Sequence, residues 1–149
     1  MLSTAISETL TNKVLIVSIL SWATAQALKF IITYIQDGKW DFTKLVSAGG
    51  MPSSHSSFVT ALTVGIGRVE GFDTPLFAAC AVISFIIMYD ATGVRWEAGQ
   101  QAAVINRIVE ILQDPDIKLE TQLKEILGHT PLQVFAGIIL GITFGVICF

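Results

Sequence analysis

The stretch Gly49-Gly50-Met51-Pro52-Ser53-Ser54-His55-Ser56 gathers residue types that suit an anion. Two glycines permit backbone angles closed to other residues. Proline and two serines then lead into an apolar run, which is the chemistry of a helix start. A helix start presents free N–H groups and the positive end of the helix dipole, so it can hold an anion. The serine hydroxyls add donors, and His55 adds a group that titrates near neutral pH. A glycine loop with a serine cap accounts for the same residues without any function.

Three further segments carry polar groups that need an explanation. In Gly128-His129-Thr130-Pro131-Leu132-Gln133, Thr130 reads as an N-cap, Pro131 as the first helical residue, and Gln133 completes a capping-box spacing. Gln133 therefore has a structural job, whereas His129 has none. In Tyr89-Asp90-Ala91-Thr92-Gly93-Val94-Arg95, Asp90 falls at the C-terminal end of an apolar helix, where the dipole disfavours an anion. Asp90 therefore wants a cation, and Arg95, Lys29 or a protonated histidine can supply it. A structural ion pair closing the end of a bundle is the alternative to a catalytic role. Lys29, with Gln26 one turn earlier, lies inside an apolar run, where an ionisable side chain is a functional candidate. Snorkelling to the interface is the competing reading.

The elements that must position these groups are membrane helices. The 149 residues are 52% hydrophobic and only 14% charged, where a soluble domain carries about 25% charged residues, and the mean hydropathy is +0.67. Apolar segments run over 14–35, 58–67 (extendable back to Ser54), 75–89 and 131–149. About 20 residues cross a bilayer core, so the second is short. The first ten residues carry no positive charge, and the apolar run after them is too long for a signal-peptide core. The first segment is therefore expected to be a retained membrane helix. Between the last two segments, Ala98, Ala102, Ile105, Val109 and Leu112 share one face of an amphipathic helix. Leu119, Leu123, Ile126 and Leu127 suggest a second, with Asp114-Pro115-Asp116 between them. The expected class is all-α: a single-domain polytopic membrane bundle of about four membrane helices plus one or two amphipathic helices. Gly137 and Gly141 have the spacing that lets helices pack closely. Trp22, Trp40 and Trp96 read as interfacial or packing residues.

Composition also excludes classes. Cys80 and Cys148 each sit in an apolar run and read as small hydrophobes rather than a disulfide or part of a zinc site. No basic stripe supports nucleic-acid binding. No carboxylate cluster calls for a metal, and no cofactor is expected.

If all four segments cross, residues 37–54 and 90–130 share one side. That side holds Lys39, Lys44, Arg95, Arg107, Lys118 and Lys124, against Lys13 and Arg68 on the other. Positive residues prefer the cytoplasm, which makes the first side cytoplasmic. Lys29, Ser53, Ser54, His55, Asp90, Arg95 and His129 then converge on one membrane face. Cations, helix starts and hydroxyls suit a phosphate there, and two histidines can share nucleophile and acid roles.

At these residues the chain resembles the divergent branch of the type 2 phosphatidic acid phosphatase and vanadium haloperoxidase superfamily. Pro52-Ser53-Ser54-His55 is similar to the superfamily's central motif. Gly128-His129 followed by Gln133 is similar to its last motif, a histidine with an aspartate four residues on. Lys29 stands for the lysine of the first motif, and Asp90 to Arg95 resembles the divergent branch itself. The resemblance extends over nearly the whole chain. It implies a metal-independent phosphatase acting on a phospholipid or isoprenoid phosphate in a bacterial or plastid membrane, with a homo-oligomer allowed. It implies that His129 attacks phosphorus, that His55 protonates the leaving alcohol, and that Lys29, Ser53, Ser54 and Arg95 hold the phosphate. Asp90 is a candidate to stand in for the orienting carboxylate. The chain also departs from the pattern. The Arg-Pro after the lysine is missing, Leu123 replaces an arginine, and Gln133 replaces the aspartate, which would have stabilised an imidazolium. These departures motivate the alternative of an inactive member that binds anionic lipid headgroups or partner helices as a scaffold. Vanadate-dependent halide oxidation, also known on this fold, is the least favoured reading for a chain that is mostly membrane helix.

Overall fold

A computed structural model describes residues 2–38, 50–112, 123 and 128–149. The described residues form helices α1 (Leu2–Thr11), α2 (Lys13–Asp37), α3 (Ser54–Glu70), α4 (Pro75–Thr92), α5 (Val94–Leu112) and α6 (Pro131–Ile147), with no strand among them. The all-helical expectation holds, and the four apolar segments correspond to α2, α3, α4 and α6. Helix α1 was not anticipated. It is a short exposed helix that ends where Asn12 caps α2 by accepting from the Leu15 amide.

The helix boundaries follow from local chemistry. Ser53, Thr74 and Thr130 cap α3, α4 and α6, each accepting a hydrogen bond from the amide three residues on. Pro75 and Pro131 occupy first-turn positions, where no N–H is needed. Gly38 ends α2 in the left-handed region at φ 67°. Gly93 is the single residue between α4 and α5.

Helix α3 is the centre of the bundle and packs against α2, α4 and α6. Its closest neighbour is α6, and glycines explain the approach. A Cβ on Gly137 would collide with the Ser53 carbonyl. One on Gly141 would lie 2.6 Å from the Ser57 carbonyl oxygen, and one on Gly145 would lie 2.5 Å from Val64 Cγ1. Gly145 extends the expected pair into a three-glycine face. Hydroxyls bind the other two interfaces. Ser21 and Ser57 hydrogen-bond each other across α2 and α3, and Thr63 and Ser84 pair at 2.8 Å across α3 and α4.

The distribution of residue types is inverted relative to a soluble protein. Ser18, Ser21, Ser56, Ser57 and Thr60 are buried, whereas Leu76, Val82, Ile83, Phe85 and Ile86 of α4 face outward. Small and hydroxyl residues inside, with large apolar residues outside, is how membrane helices pack. Among the described residues two runs are long and apolar enough to cross a bilayer, Lys13–Gln36 and Pro75–Val109, the latter interrupted at Gly93. Helices α3 and α6, at 17 residues each, rise only about 26 Å.

The helices alternate in direction. Lys13 Nζ lies 4.8 Å from the centroid of the Phe149 ring, which also packs beside Gly65. The start of α2, the end of α3 and the C-terminus therefore share one end of the bundle. Lys29, Ser53, His55, Ala91 and His129 share the other. On the expected inner face of helix α5, Ala102 is buried and Ala98 half-buried, but Ile105 is exposed. Of the expected second amphipathic helix only Leu123 is described. Asn106 brackets its backbone, donating to the carbonyl at 2.9 Å and accepting from the amide at 3.1 Å. The Asp114-Pro115-Asp116 break, Trp40, Lys39, Lys44, Lys118, Lys124 and Gly49 lie outside the described residues. Of the cations counted for the two sides, those described are Arg95 and Arg107 against Lys13 and Arg68, with Lys29 buried at the site end.

Candidate active site

Four segments meet at the end of the bundle where α3 and α6 begin. Pro52 follows a cis peptide bond from Met51, and Gly50 has φ 96°. A Cβ on Gly50 would lie 3.0 Å from Lys29 Cγ, so the glycine backbone rests directly on the lysine stem. Lys29 is 1% exposed. This overturns the snorkelling alternative, because the side chain turns into the bundle instead of reaching for the interface.

Ser53 ties the two helix starts together. Its amide donates to the Gln133 carbonyl at 2.9 Å, and its hydroxyl accepts from the Ser56 amide at 3.3 Å and the Ser56 hydroxyl at 2.9 Å. Ser54 is buried beside it, and His55 reaches the surface. The first-turn amides of α3 lie at the same place.

His129 is 3% exposed and is held on two sides. Its amide donates to the Ala91 carbonyl of α4 at 2.9 Å, and its Nδ1 lies 3.1 Å from Gln133 Oε1. Gly128 permits this placement, since a Cβ there would lie 2.5 Å from the Trp96 backbone nitrogen. The Nε2 of His129 is buried and has no hydrogen-bond partner among the described residues.

The rings of His55 and His129 are 6.5 Å apart between centroids and tilted by 58°. Lys29 and Arg95 are close enough to act electrostatically on both rings. Burial pushes the His129 imidazole below its ordinary 6.5. The Gln133 hydrogen bond raises it, and Lys29, His55 and Arg95 lower it further. Burial and the surrounding cations thus favour the uncharged form of His129.

Asp90 is placed differently from the role of an orienting carboxylate. Its Oδ2 accepts from Arg95 Nε at 2.7 Å, with the side chains 39% and 52% exposed. The position facing His129 Nδ1 belongs to Gln133. The reason is geometric. Gln133 is one helical turn from His129, while the C-terminal dipole of α4 makes Asp90 seek the nearest cation, five residues on. The Ala91 carbonyl supports the site without having been singled out in the sequence. Among the described residues no cluster of histidine, cysteine and acidic groups is arranged to hold a metal.

The chain is 42% identical over 146 residues to the uncharacterized membrane protein YuiD of Bacillus subtilis (strain 168), covering 91% of this chain and 92% of that one. No solved structure matches it. The family described as "Divergent PAP2 family" matches residues 10–144, a span that contains every candidate site residue. This chain belongs to the divergent PAP2 family.

Proposed function

We propose that the chain is an integral membrane phosphatase that hydrolyses the phosphate monoester or pyrophosphate of a lipid or isoprenoid alcohol. The observation that carries this reading is the pair of imidazoles, 6.5 Å apart, from two segments more than seventy residues apart in sequence. Four crossing helices would set the pair at the edge of the bilayer, where a lipid headgroup lies. The site would face the cytoplasm of a bacterial cell or its equivalent in a plastid.

The chemistry follows from the groups present. His129 Nε2 attacks phosphorus, and an N–P bond forms as the ester P–O bond breaks. Protonated His55 gives its proton to the departing alkoxide. Water then attacks phosphorus, His55 takes a proton from it, and the N–P bond breaks to release phosphate. Lys29, Arg95 and the helix starts with Ser53 and Ser54 neutralise the phosphate oxygens throughout. No step requires a metal.

The test is phosphate release by purified protein in detergent against lipid and isoprenoid phosphates, with His55→Ala as the control. Turnover by wild type, reduced about 10²- to 10⁴-fold in the variant, is the expected result. Equal turnover by both would defeat the reading. The neutral Gln133 and the exposed Leu123, where the superfamily has charged residues, favour a second reading, a non-catalytic binder of anionic headgroups. Lipid-phosphate binding without turnover would select it.

Asp90 enters this scheme as a positioning residue for Arg95. An ion pair this exposed is worth no more than about 1 kcal/mol. Asp90→Asn is therefore expected to raise KM by about fivefold while kcat stays nearly unchanged. A large fall in kcat at constant KM would instead place Asp90 at the reacting atoms.

A further inference from the structure

Helix α5 carries large apolar side chains that the bundle leaves uncovered. Val104, Ile105 and Ile108 are exposed. At about 3.6 residues per turn they fall within about 100° of arc on one side of the helix. Another side is engaged: Gly99 and Ala102 are buried, and Asn106 holds the Leu123 backbone. Among the described helices α5 packs against α4 alone.

Length and direction narrow what can meet the uncovered side. The 18 residues of α4 rise about 27 Å, which uses up a hydrocarbon layer about 30 Å thick. A straight continuation would carry Ile108 about 24 Å further, into water. The chain turns instead. Gly93 has φ −103° and ψ −89°, far from the helical ψ of about −42°. The turn is held at the site, where the His129 amide donates to the Ala91 carbonyl and Gly128 rests against the Trp96 backbone.

The elbow itself shows the level at which α5 runs. Tyr89, Gly93, Val94, Glu97, Ala98 and Gln101 line an open notch of about 580 Å³ between the end of α4 and α5. The four α5 residues of the notch lie on the same side of the helix as Val104, Ile105 and Ile108. Tyr89 is exposed, and its ring stacks with Phe85 along the outward surface of α4. An outward tyrosine at the end of a membrane helix marks the headgroup level. The notch opens at that level, with the polar Glu97 and Gln101 beside the elbow and the apolar residues beyond them.

We infer that α5 lies in the plane of the membrane, with its Val104, Ile105 and Ile108 side set into the lipid of the leaflet nearest the site. The lipid is the bilayer that already surrounds α4, because the outward surface of α4 passes through Tyr89 and Val94 into this side of α5. A helix of this kind sinks its apolar side about 5–10 Å into the headgroup and acyl boundary. Arg95 stands in its first turn, so the helix holds that guanidinium and its Asp90 partner at the depth of the lipid headgroups. This placement does not depend on the phosphatase reading.

Depth measurement by spin labelling tests it. Single nitroxides are placed at Ile105→Cys, Ile108→Cys and Arg107→Cys in full-length Cys80→Ser, Cys148→Ser protein, in vesicles of phosphatidylcholine and phosphatidylglycerol. Arg107 lies about 120° from the centre of the apolar side. Oxygen should relax the labels at 105 and 108 more than a water-soluble nickel chelate does, at a depth of about 5–10 Å. The label at 107 should show the reverse order. Nickel reaching 105 and 108 as readily as 107 would overturn the inference. Labels at 105 and 108 screened from both reagents would overturn it too, because a second copy or another protein would then cover this side. Should the serine background fail to fold, Ile108→Trp and Arg107→Trp in the chain with its natural cysteines give the same answer. In vesicles of lipid brominated near the glycerol end of the acyl chains, the emission added by Ile108→Trp should be quenched more strongly. Equal quenching of the two would overturn the inference.

Discussion

His129→Ala is expected to reduce phosphate release by about 10⁴-fold or more while leaving the bundle folded. The size follows from the role. Removing a nucleophile removes the two-step route itself, whereas removing an acid leaves a slower version of the same route. Folding should survive because the anchoring contact of residue 129 is its backbone amide, which an alanine retains toward the Ala91 carbonyl. The direct check is a rapid-quench experiment with phosphorus-32-labelled substrate. Wild type should carry label that is stable to alkali and released by acid, the behaviour of an N–P bond. His129→Ala should carry none. His55→Ala with a substrate whose leaving group needs no proton should accumulate the label, because its first step proceeds and its hydrolysis is slowed. Label on the His129→Ala protein, or wild-type turnover by it, would remove the proposed nucleophile.

The second large effect is structural. Gly141→Leu should separate α3 from α6 and destabilise the protein by about 3 kcal/mol or more. The first atom of any side chain there would lie 2.6 Å from the Ser57 carbonyl oxygen, 2.7 Å from Thr60 Cβ and 3.0 Å from the Ala61 amide nitrogen. Two of these are backbone atoms of a helix that packs against α2, α4 and α6, so they cannot yield as the tip of a side chain would. Ile139→Leu, two residues earlier on the outward face, serves as the control and should be nearly neutral. Thermal melting of the detergent-solubilised proteins measures the difference. Activity should fall with stability, because the α3–α6 contact also sets the distance between His55 and His129. Gly141→Leu protein that melts with wild type and keeps its activity would show that close helix packing does not build the site.

These two expectations fall on the same pair of helices for a physical reason. Helices α3 and α6 start side by side, joined by the Ser53 amide and the Gln133 carbonyl. The glycines of α6 bring its axis close to α3 along its length, and the hydroxyls of α3 hold α2 and α4 on its other sides. A buried cation such as Lys29 needs this kind of polar interior, since lipid would not tolerate it.

The sequence by itself determined what local chemistry can specify. Pro131 with Thr130 and Gln133 specifies the start of α6, because capping requires only residues three apart. Serines 53 and 54 specify the start of α3 in the same way. The apolar runs specify the helices and their alternation across the bundle, because only a closed hydrogen-bonded helix is tolerated in lipid. That alternation was enough to place both histidines at one end.

Other features depended on partners distant in the chain, and only the tertiary structure decided them. Lys29 could equally have reached for water, and its burial came from the Gly50 backbone laid across its stem. Asp90 could have faced a histidine, and the neighbouring Arg95 claimed it instead. Gln133 read first as a cap, and its second contact appeared only when His129 was pinned by α4. Gly145 continues the four-residue spacing of Gly137 and Gly141, and only the fold sets Val64 against it. Sequence spacing records which face of its own helix a residue occupies, but it holds no record of which surface comes to meet that face.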